Sequence, residues 1–374
     1  MSGNFLQRGT PAILDKWTRT RMALSAGADL VIELPAVFAT ASAQYFSRGG
    51  VSILDQLGVV DSICFGCETD KLSLLQNSAS FLYQEPYGYK EKLQSFLKEG
   101  KSFPKAREEA LISYLGKDAA TLVSSPNNIL ALEYCIALLE RDSTIKPMPI
   151  LRKGNSYHEE HLISGTLPSA TAIRELLSTD SSLDFSRLSE NVPKSVASII
   201  AENQNRLLLS QDALSLLLKY KLLSEMNSLD KYADVTPDLA DKIRKNINRF
   251  VSFSQFADLL KSKDITHTRI TRVLTHILLN ITKDMYADAK ANDYVPYARV
   301  LGFCKQALPL LSAIGKNTSI PLITKLADAH TQLSSKAYTL LEHDIFCSHV
   351  YESILADKTG CPFQNEFTRQ ISII

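Results

Sequence analysis

The first 35 residues constrain the fold more than any other stretch of the chain. Glycine-bearing polar turns at residues 2–4 and 7–9 come first, and a helix pattern follows them. The apolar side of this helix carries Trp17, Met22 and Leu24, and the cations mostly opposite are Lys16, Arg19 and Arg21. Backbone amides at such a turn and at a helix N-terminus favour anions such as phosphate. The opening therefore predicts an anion-handling loop followed by a helix.

A short apolar run, Leu30 to Leu34, closes this opening before Pro35. The run is too short to span a membrane, and it is typical of a buried strand in a parallel sheet, with Glu33 near its carboxyl end. A loop, helix and strand in this order normally continue from an earlier strand. The sequence therefore predicts a parallel sheet whose first strand is missing from these 374 residues.

Composition limits the classes of protein that this chain can represent. A hydrophobic fraction of 45% and a charged fraction of 22% are ordinary for a soluble globular protein, and 374 residues suffice for two or three domains. The net charge of +1 excludes a general attraction to nucleic acid, so any basic site must be local. We find no signal-peptide pattern and no run of about 18 apolar residues, and we predict a cytoplasmic protein without a membrane span.

The six cysteines are scattered through the chain, as is usual for reduced intracellular thiols. Cys64 and Cys67 have the spacing of a metal or redox pair, but no second pair of this kind occurs. His158 and His161 could join them only by chance of folding. We favour a packing role, in which Cys64 ends a buried strand and Cys67 fills a small pocket, and predict no metal site.

Two further apolar runs extend the predicted sheet, at residues 59–66 and 148–152. In open α/β sheets, ligands lie beyond the carboxyl ends of the strands. This rule makes residues 66–68, Arg152 and the residues just after Leu34 candidate site positions. Between the strands, residues 36–57 have the pattern of one long helix that Gly49 and Gly50 could interrupt.

A polar stretch at residues 178–191 is the best domain boundary, because leucine-rich helices replace nearly all strand-like runs beyond it. We predict one domain over residues 1–185 and a helical domain over residues 190–374. The clearest amphipathic helix runs from Thr266 to Ile281. The side chains predicted to leave its apolar face are His267, Arg269, Arg272 and His276. Such a basic face either contacts a phosphodiester backbone or is simply solvated.

Two local motifs could bind a nucleotide. Ser169, Thr171 and Arg174 begin a predicted helix, where hydroxyls, free amides and a guanidinium suit a phosphate; an ordinary capped helix would look the same. Asn127 and Asn128 lie in a loop that enters a helix, where they could contact adenine or ribose or act as caps. No P-loop, GxGxxG or nucleophile motif is present.

Several segments together resemble one family, the bacterial tRNA(Met) cytidine acetate ligases of the nucleotidyltransferase superfamily. In chain order they are MSGNFLQRGTPAILDKWTRTRMAL, DLVIELP, FGCETD, SPNNILALEY, SATAIR, THTRITRVLTHILL and YARVLGF. The resemblance implies the α/β class, with a Rossmann-like nucleotidyltransferase domain that binds ATP. A mainly α-helical C-terminal domain that grips tRNA would follow it.

The resemblance implies a reaction in two steps. Acetate attacks the α-phosphate of ATP to give acetyl-adenylate and pyrophosphate, and the acetyl group then passes to the wobble cytidine of elongator tRNA(Met), giving N4-acetylcytidine. ATP is expected with Mg²⁺, and no protein partner is inferred. Two alternatives stay open: a non-catalytic RNA-binding relative, and a nucleotidyltransferase that acts on a small metabolite.

The family's functional residues carry over to particular positions. Gly66 matches the family's glycine near the nucleotide, and Arg152 matches an arginine that contacts ATP. Asn127 or Asn128, with Asn127 favoured, matches an asparagine that contacts ATP. Ser169, Thr171 and Arg174 resemble the second phosphate motif of the superfamily, with Ala170 in place of its second serine. The candidates for tRNA contact are Arg269 and Arg272.

One departure from the family pattern is large. Members of the family carry an HxGH loop that binds the ATP phosphates, and no HxGH occurs in this sequence. His158 and His161 share its spacing, but Glu160 takes the place of the glycine and the pair lies too late in the chain. The catalytic residues are therefore left unknown, and we expect weak or no adenylation and reduced stability for the chain as it stands.

Overall fold

The computed structural model describes residues 1–69, 71–152, 170–179, 185–262 and 265–374. The chain divides into two compact units, one formed by residues 1–41 with 154–374 and the other by residues 42–153. We refer to them as the first and the second unit. The functional boundary predicted between residues 185 and 190 stays a prediction.

Strands are few and short in the described part of the chain. In chain order they are β1 (Phe5–Leu6), β2 (Thr10–Pro11), β3 (Leu30–Glu33), β4 (Ser62–Cys67), β5 (Lys146–Leu151), β6 (Ala298–Phe303), β7 (Leu322–Ile323) and β8 (Ser372–Ile373).

Helices make up most of the rest, and most predicted helices are present with bounds shifted by a few residues. They are α1 (Lys16–Ser25), α2 (Ala36–Ala39), α3 (Ala43–Gln56), α4 (Leu72–Gln84), α5 (Tyr87–Lys98), α6 (Phe103–Leu115), α7 (Lys117–Ala120), α8 (Pro126–Glu140), α9 (Ala170–Thr179), α10 (Phe185–Asn191), α11 (Lys194–Glu202), α12 (Ser215–Ser224), α13 (Pro237–Asn246), α14 (Phe253–Leu260), α15 (His267–Leu278), α16 (Lys283–Ala291), α17 (Leu308–Asn317), α18 (Ala329–Gln332) and α19 (Ser335–Thr359).

The sheet of the first unit is organised around β6, whose six residues are all buried. It pairs antiparallel with β3 and parallel with β7 and β8. The predicted strand at residues 30–34 is therefore confirmed, but the parallel pairing expected for it is wrong for its contact with β6. Near its end, Leu34 does form a parallel bridge, with Ser2. The antiparallel partner could not be inferred locally, because it lies in the C-terminal half of the chain.

The second unit contains the parallel pair that the sequence predicts. β4 and β5 run side by side from Ser62 opposite Lys146 to Cys67 opposite Leu151. Alternate β4 residues, Ile63, Phe65 and Cys67, are buried in a core that includes residues of α8. Cys64 consequently points away from the core and is exposed, and it lies within β4 and does not end the strand as expected, whereas Cys67 is fully buried.

The helix predicted over residues 36–57 is interrupted at residues 40–42 and not at the two glycines. The carbonyl oxygen of Thr40 lies 3.0 Å from Nε2 of His276 at this break. Gly49 and Gly50 instead continue α3, and a Cβ atom at Gly50 would come within 3.9 Å of the Tyr134 ring on α8. This is an ordinary van der Waals distance, so the contact with Tyr134 would also tolerate a side chain at position 50.

Helix α15 confirms the predicted amphipathic pattern, with Ile270, Val273, Leu274 and Ile277 fully buried. The prediction that His276 leaves the apolar face is wrong. Its ring is completely buried, and its two nitrogens lie 3.3 Å from the carbonyl oxygen of Ala233 and 3.0 Å from that of Thr40. Burial lowers the pKa of this imidazole, so it is not part of a basic surface.

Among the described residues, no single helix is long and apolar enough to cross a membrane. One bent pair, Lys117–Val123 with Pro126–Glu140, reaches that length and composition only when its two parts are counted together.

Asp344 on α19 couples the stability of the first unit to pH. Its carboxylate accepts hydrogen bonds from the backbone amide of Ala36 and the hydroxyl of Tyr297, both at 2.7 Å. Burial, and next the negative charge of Glu33, raise the pKa of Asp344 to about 7. The pKa of an aspartate in an unfolded chain is about 3.9. The protonated form therefore stabilises the fold, and this contribution is lost as the pH rises from about 4 through 7.

We expect the wild type to lose about 2 kcal/mol of unfolding free energy relative to Asp344→Asn between about pH 5 and pH 8, because asparagine cannot ionise. Urea unfolding followed by circular dichroism across this range measures the difference. Asp328→Asn, at an exposed aspartate, is the control and should follow the wild type. Parallel curves for wild type and Asp344→Asn would contradict the prediction.

Candidate functional site

The carboxyl ends of β4 and β5 lie side by side and form the floor of a candidate site in the second unit. Arg152 extends the pairing by one residue, since its amide donates to the carbonyl of Cys67 at 3.0 Å. The register places Gly66 opposite Ile150. Gly66 and Arg152, two of the predicted site residues, therefore come together at the edge of the sheet where ligands bind in folds of this type.

Gly66 leaves room for the side chain of Arg152. A Cβ atom at position 66 would lie 3.4 Å from Cγ and 3.8 Å from Cδ of Arg152. The aliphatic part of the Arg152 side chain therefore packs next to Gly66. Sequence reasoning selected both residues but could not show that they are in contact.

Asn128 braces the loop next to this strand end. The side chain is buried, and its oxygen accepts from the amide of Glu68 at 2.7 Å while its nitrogen donates to the carbonyl of Thr121 at 3.1 Å. The hydroxyl of Ser125, the N-cap of α8, accepts from the amide of Asn128 at 3.3 Å. These bonds fix Asn128 to protein groups, which favours Asn127 as the asparagine that faces a ligand.

Glu68 connects the remaining predicted side chains. Its Oε1 accepts from Nδ2 of Asn127 at 2.7 Å and lies 3.8 Å from Nε of Arg152. Both charged side chains are partly exposed, at 35% for Glu68 and 39% for Arg152. Sequence reasoning marked residues 66–68 from topology but gave Glu68 no role. The signal that could have identified it is an acidic residue directly after a parallel strand.

Arg174 belongs to the first unit, where α9 packs against the N-terminal loop. Leu176 and Leu177 share a core cluster with Leu14. The pKa of Arg174 is lowered by burial and next by the positive charge of Arg8. A buried guanidinium at this position suits a phosphate in the way that the sequence predicts, and that contact stays a prediction.

The other members of this motif are less informative. Thr171 lies in the first turn of α9, and Ser169 falls outside the described residues. Their predicted contacts with phosphate stay predictions.

The three cations of α1 have structural roles and do not form the open anion site suggested by the sequence. Lys16 is completely buried against Glu33 at 2.8 Å and Glu366 at 3.1 Å. Arg19 donates to the backbone carbonyls of Leu14, Ser2 and Gly3, which holds the glycine-bearing turn in place. The exposed Arg21 lies 3.4 Å from Glu202.

The pairing of β3 with β6 explains the buried charges around Lys16. Their register places Glu33 opposite Arg299, and these side chains form an ion pair at 3.1 Å. Glu366 accepts from Arg299 at 2.6 Å and from the indole of Trp17 at 3.1 Å. Burial would raise the pKa of Glu366, but Lys16 and Arg299 outweigh it and lower the pKa to about 2. Two cations and two carboxylates are thus balanced inside the first unit.

The N-terminal turn is attached to α15, the helix that carries the predicted tRNA-contacting arginines. The hydroxyl of Thr271 donates to the carbonyl of Arg8 at 2.6 Å, and that of Thr275 donates to the carbonyl of Gly9 at 2.8 Å. Arg272 pairs with Asp234 at 3.3 Å and is mostly buried, whereas Arg269 lies in the first turn and is partly exposed. Of these two arginines, Arg272 is engaged in an ion pair with Asp234.

Comparison with known proteins gives one family. The model of the HIGH Nucleotidyl Transferase family matches residues 1–365. The tRNA(Met) cytidine acetate ligase of Clostridium perfringens strain SM101 is 41% identical over 363 residues, which cover 94% of this chain and 86% of that protein. The tRNA(Met) cytidine acetate ligase of Acetivibrio thermocellus is 37% identical and is matched over 100% of this chain and 91% of its own length.

Two solved structures have the same fold. Apo TmcAL from Thermotoga maritima superposes with a TM-score of 0.93 and 27% sequence identity, covering 100% of this chain and 91% of that one. TmcAL from the same organism bound with alpha-thio ATP gives a TM-score of 0.89 at 26% identity, with the same coverage. The predicted α/β nucleotidyltransferase fold with a helical C-terminal region is thereby confirmed.

Proposed function

We propose a function for this chain on the basis of its family, since the chain belongs to the tRNA(Met) cytidine acetate ligases within the HIGH nucleotidyl transferase family. In this proposal it uses ATP to activate acetate and acetylates the wobble cytidine of elongator tRNA(Met). The observation that supports the proposal is that Gly66, Asn127 and Arg152 lie close together at the carboxyl ends of β4 and β5. ATP and tRNA as substrates would place the reaction in the cytoplasm.

The proposed first step is an in-line displacement. An acetate oxygen forms a bond to the α-phosphorus of ATP, and the bond from that phosphorus to the bridging oxygen breaks, releasing pyrophosphate. Such a step needs positioning and stabilisation of charge on the phosphate oxygens, and it does not need a nucleophilic side chain. Arg152 is our candidate for that charge, since its planar guanidinium suits phosphate oxygens.

In the proposed second step, the N4 amine of cytidine attacks the acetyl carbon and loses a proton. The bond between the acetyl carbon and the adenylate oxygen breaks, and AMP leaves. We assign tRNA contact to the first unit, where Arg269 in the first turn of α15 is partly exposed. The helical region over residues 190–374 would provide the larger part of this surface.

Mg²⁺ normally accompanies ATP and is held largely by the phosphates. In the part of the chain that the structure describes, no group of three or more His, Cys, Asp or Glu side chains could hold a metal ion. We therefore propose that Mg²⁺ arrives with the nucleotide.

We expect Arg152→Gln to weaken ATP binding about 10- to 100-fold, because a charge-assisted contact contributes about 1.5–3 kcal/mol. Equilibrium dialysis with labelled ATP measures the dissociation constant. Arg21→Gln, which removes an exposed guanidinium paired with Glu202, is the control. Equal ATP affinity in Arg152→Gln and the wild type would exclude Arg152 from the nucleotide site.

The reaction itself is tested by acetate-dependent exchange between ATP and pyrophosphate. We would measure it on this chain and on any longer reading frame that adds an HxGH loop. The modified nucleoside is then sought by mass spectrometry after incubation with elongator tRNA(Met) or bulk tRNA. Exchange with acetylation selective for tRNA(Met) is the expected result for a chain that includes HxGH.

Other outcomes would favour the alternatives. tRNA binding without exchange in either version would indicate a non-catalytic RNA-binding relative. Exchange without any preference for tRNA(Met) would indicate an enzyme that acts on a small metabolite.

A further inference from the structure

Glu68 has one carboxylate oxygen committed to the protein and one that is not. Oε1 accepts from Asn127 at 2.7 Å and faces Nε of Arg152 at 3.8 Å. Within the described ranges, no hydrogen bond or ion pair reaches Oε2. The backbone of Glu68 is fixed as well, because its amide donates to the buried side chain of Asn128 at 2.7 Å. A positioned and partly exposed acceptor therefore stands at the ligand edge of the sheet.

The chemistry of the nucleotide determines what this acceptor can bind. The phosphate oxygens of ATP are acceptors and carry negative charge, so a carboxylate repels them. The groups of ATP that donate hydrogen bonds are the ribose hydroxyls and the 6-amino group of adenine. A carboxylate oxygen is a strong acceptor for either kind of donor.

We propose that Glu68 is a specificity-determining residue that accepts a hydrogen bond from the nucleoside part of ATP, either a ribose hydroxyl or the adenine amine. The inference rests on the proposed function, because it assumes that this site takes ATP. Glu68 also orients the two neighbouring residues. Asn127 is held by its Nδ2, and the Nε of Arg152 lies 3.8 Å from the same carboxylate oxygen, so we assign the terminal nitrogens of Arg152 to the phosphates.

The charge of Glu68 determines the orientation in which ATP binds to the site. Its carboxylate excludes the triphosphate from its own position and attracts the donor-bearing end of the ligand. Because Arg152 attracts phosphate and lies next to Glu68, the two residues together distinguish the ends of ATP. A neutral side chain at position 68 would retain the shape of the site but lose this distinction.

The test compares Glu68→Gln with the wild type in equilibrium dialysis against ATP, 2′-deoxyATP, 3′-deoxyATP and inosine triphosphate. Each deoxynucleotide lacks one ribose hydroxyl, and inosine triphosphate carries a carbonyl oxygen in place of the 6-amino group and a hydrogen on N1. We expect the wild type to bind at least one analogue about tenfold or more weakly than ATP. In Glu68→Gln the ratio of the dissociation constant for that analogue to the one for ATP should fall to about one- to threefold. If this ratio falls for a deoxynucleotide, the donor is a ribose hydroxyl. If it falls for inosine triphosphate, the donor is the adenine amine.

Controls separate this role from folding and from metal binding. Glu109→Gln removes a partly exposed carboxylate of the same unit that pairs with Lys101, and it should retain the wild-type ratios. Urea unfolding shows whether Glu68→Gln is folded, and Glu68→Asp, which keeps the charge, should retain part of the selectivity. All measurements are repeated with Mg²⁺ and with a chelator.

Three results would overturn the inference. The first is equal ratios in wild type and Glu68→Gln for all three analogues. The second is a ratio that disappears when the metal is chelated, because the carboxylate would then act through Mg²⁺. The third is failure of the wild type to bind ATP at all, which would overturn the proposed function as well, whereas ATP binding with unchanged ratios would leave that function intact.

Discussion

Substituting alanine for Gly9 is expected to lower the free energy of unfolding of the first unit by about 3–5 kcal/mol. Gly9 has a φ of +70°, a conformation that costs a residue with a side chain about 1–2 kcal/mol. The added Cβ would also lie 2.4 Å from the backbone nitrogen of Arg272 and 2.4 Å from the carbonyl carbon of Thr271. Backbone atoms of α15 cannot move aside as a flexible side chain can, so overpacking adds a further penalty.

A second glycine of the same chain provides a matched control. Gly360, at the C-terminal end of α19, has a φ of +65°, but nothing lies within 4 Å of a Cβ built there. Gly360→Ala should therefore cost only about 1–2 kcal/mol, the conformational part alone. Urea unfolding followed by circular dichroism compares the two variants. Equal losses of stability would show that the contact of the turn with α15 contributes nothing.

Substituting methionine for Lys16 is expected to destabilise the protein by a comparable amount, about 3–5 kcal/mol. Methionine fills a similar volume but removes one of the two cations that balance Glu33 and Glu366. Removing one partner of a buried ion pair leaves an uncompensated buried charge, and that penalty exceeds the worth of the pair itself. The loss should therefore be far larger than for any surface lysine.

Lys325→Met tests this comparison, because Lys325 pairs with Asp328 on the surface and is 70% exposed. It should alter the unfolding free energy by no more than about 0.5 kcal/mol. Acid should narrow the difference between Lys16→Met and the wild type as the uncompensated carboxylates become protonated. A difference of less than about 1 kcal/mol at neutral pH would mean that Arg299 alone balances both carboxylates.

Local patterns were sufficient for most elements of the fold. The alternation of buried residues along β4 and the apolar spacing along α15 are properties of a few consecutive residues, so the sequence alone displays them. The strand that pairs with β3 could not be predicted from local patterns. β6 follows more than 260 residues later, and nothing in residues 30–34 indicates which distant strand will pair with them.

Burial of polar side chains was the main thing that sequence reasoning missed. His276 lies beside the apolar stripe of α15, where a solvated position is the ordinary expectation, and only the folded chain brings two carbonyl oxygens to its ring. Lys16 likewise looked like a surface cation. Its burial depends on Glu33, 17 residues away, and on Glu366, which comes from the other end of the sequence.

The residues of the candidate site were predicted from the sequence, but the contacts between their side chains were not. The rule on strand ends brought together Gly66 and Arg152 because it concerns topology, which short apolar runs reveal. The rule does not say that Asn128 is occupied by backbone groups or that Glu68 bridges Asn127 and Arg152. Those connections depend on side-chain geometry at distances of a few ångströms.

The buried charges around Lys16 surround the single tryptophan of the sequence. Trp17 is 7% exposed, and the Lys16 ammonium and the Arg299 guanidinium carbon each lie 5.7 Å from its ring centroid. Selectively excited fluorescence of the intact chain therefore comes from one indole in the first unit. Because that indole donates to Glu366, detachment of the C-terminal segment would expose it to water and shift its emission to the red. The unmodified protein thus carries an optical reporter of how its two ends are joined.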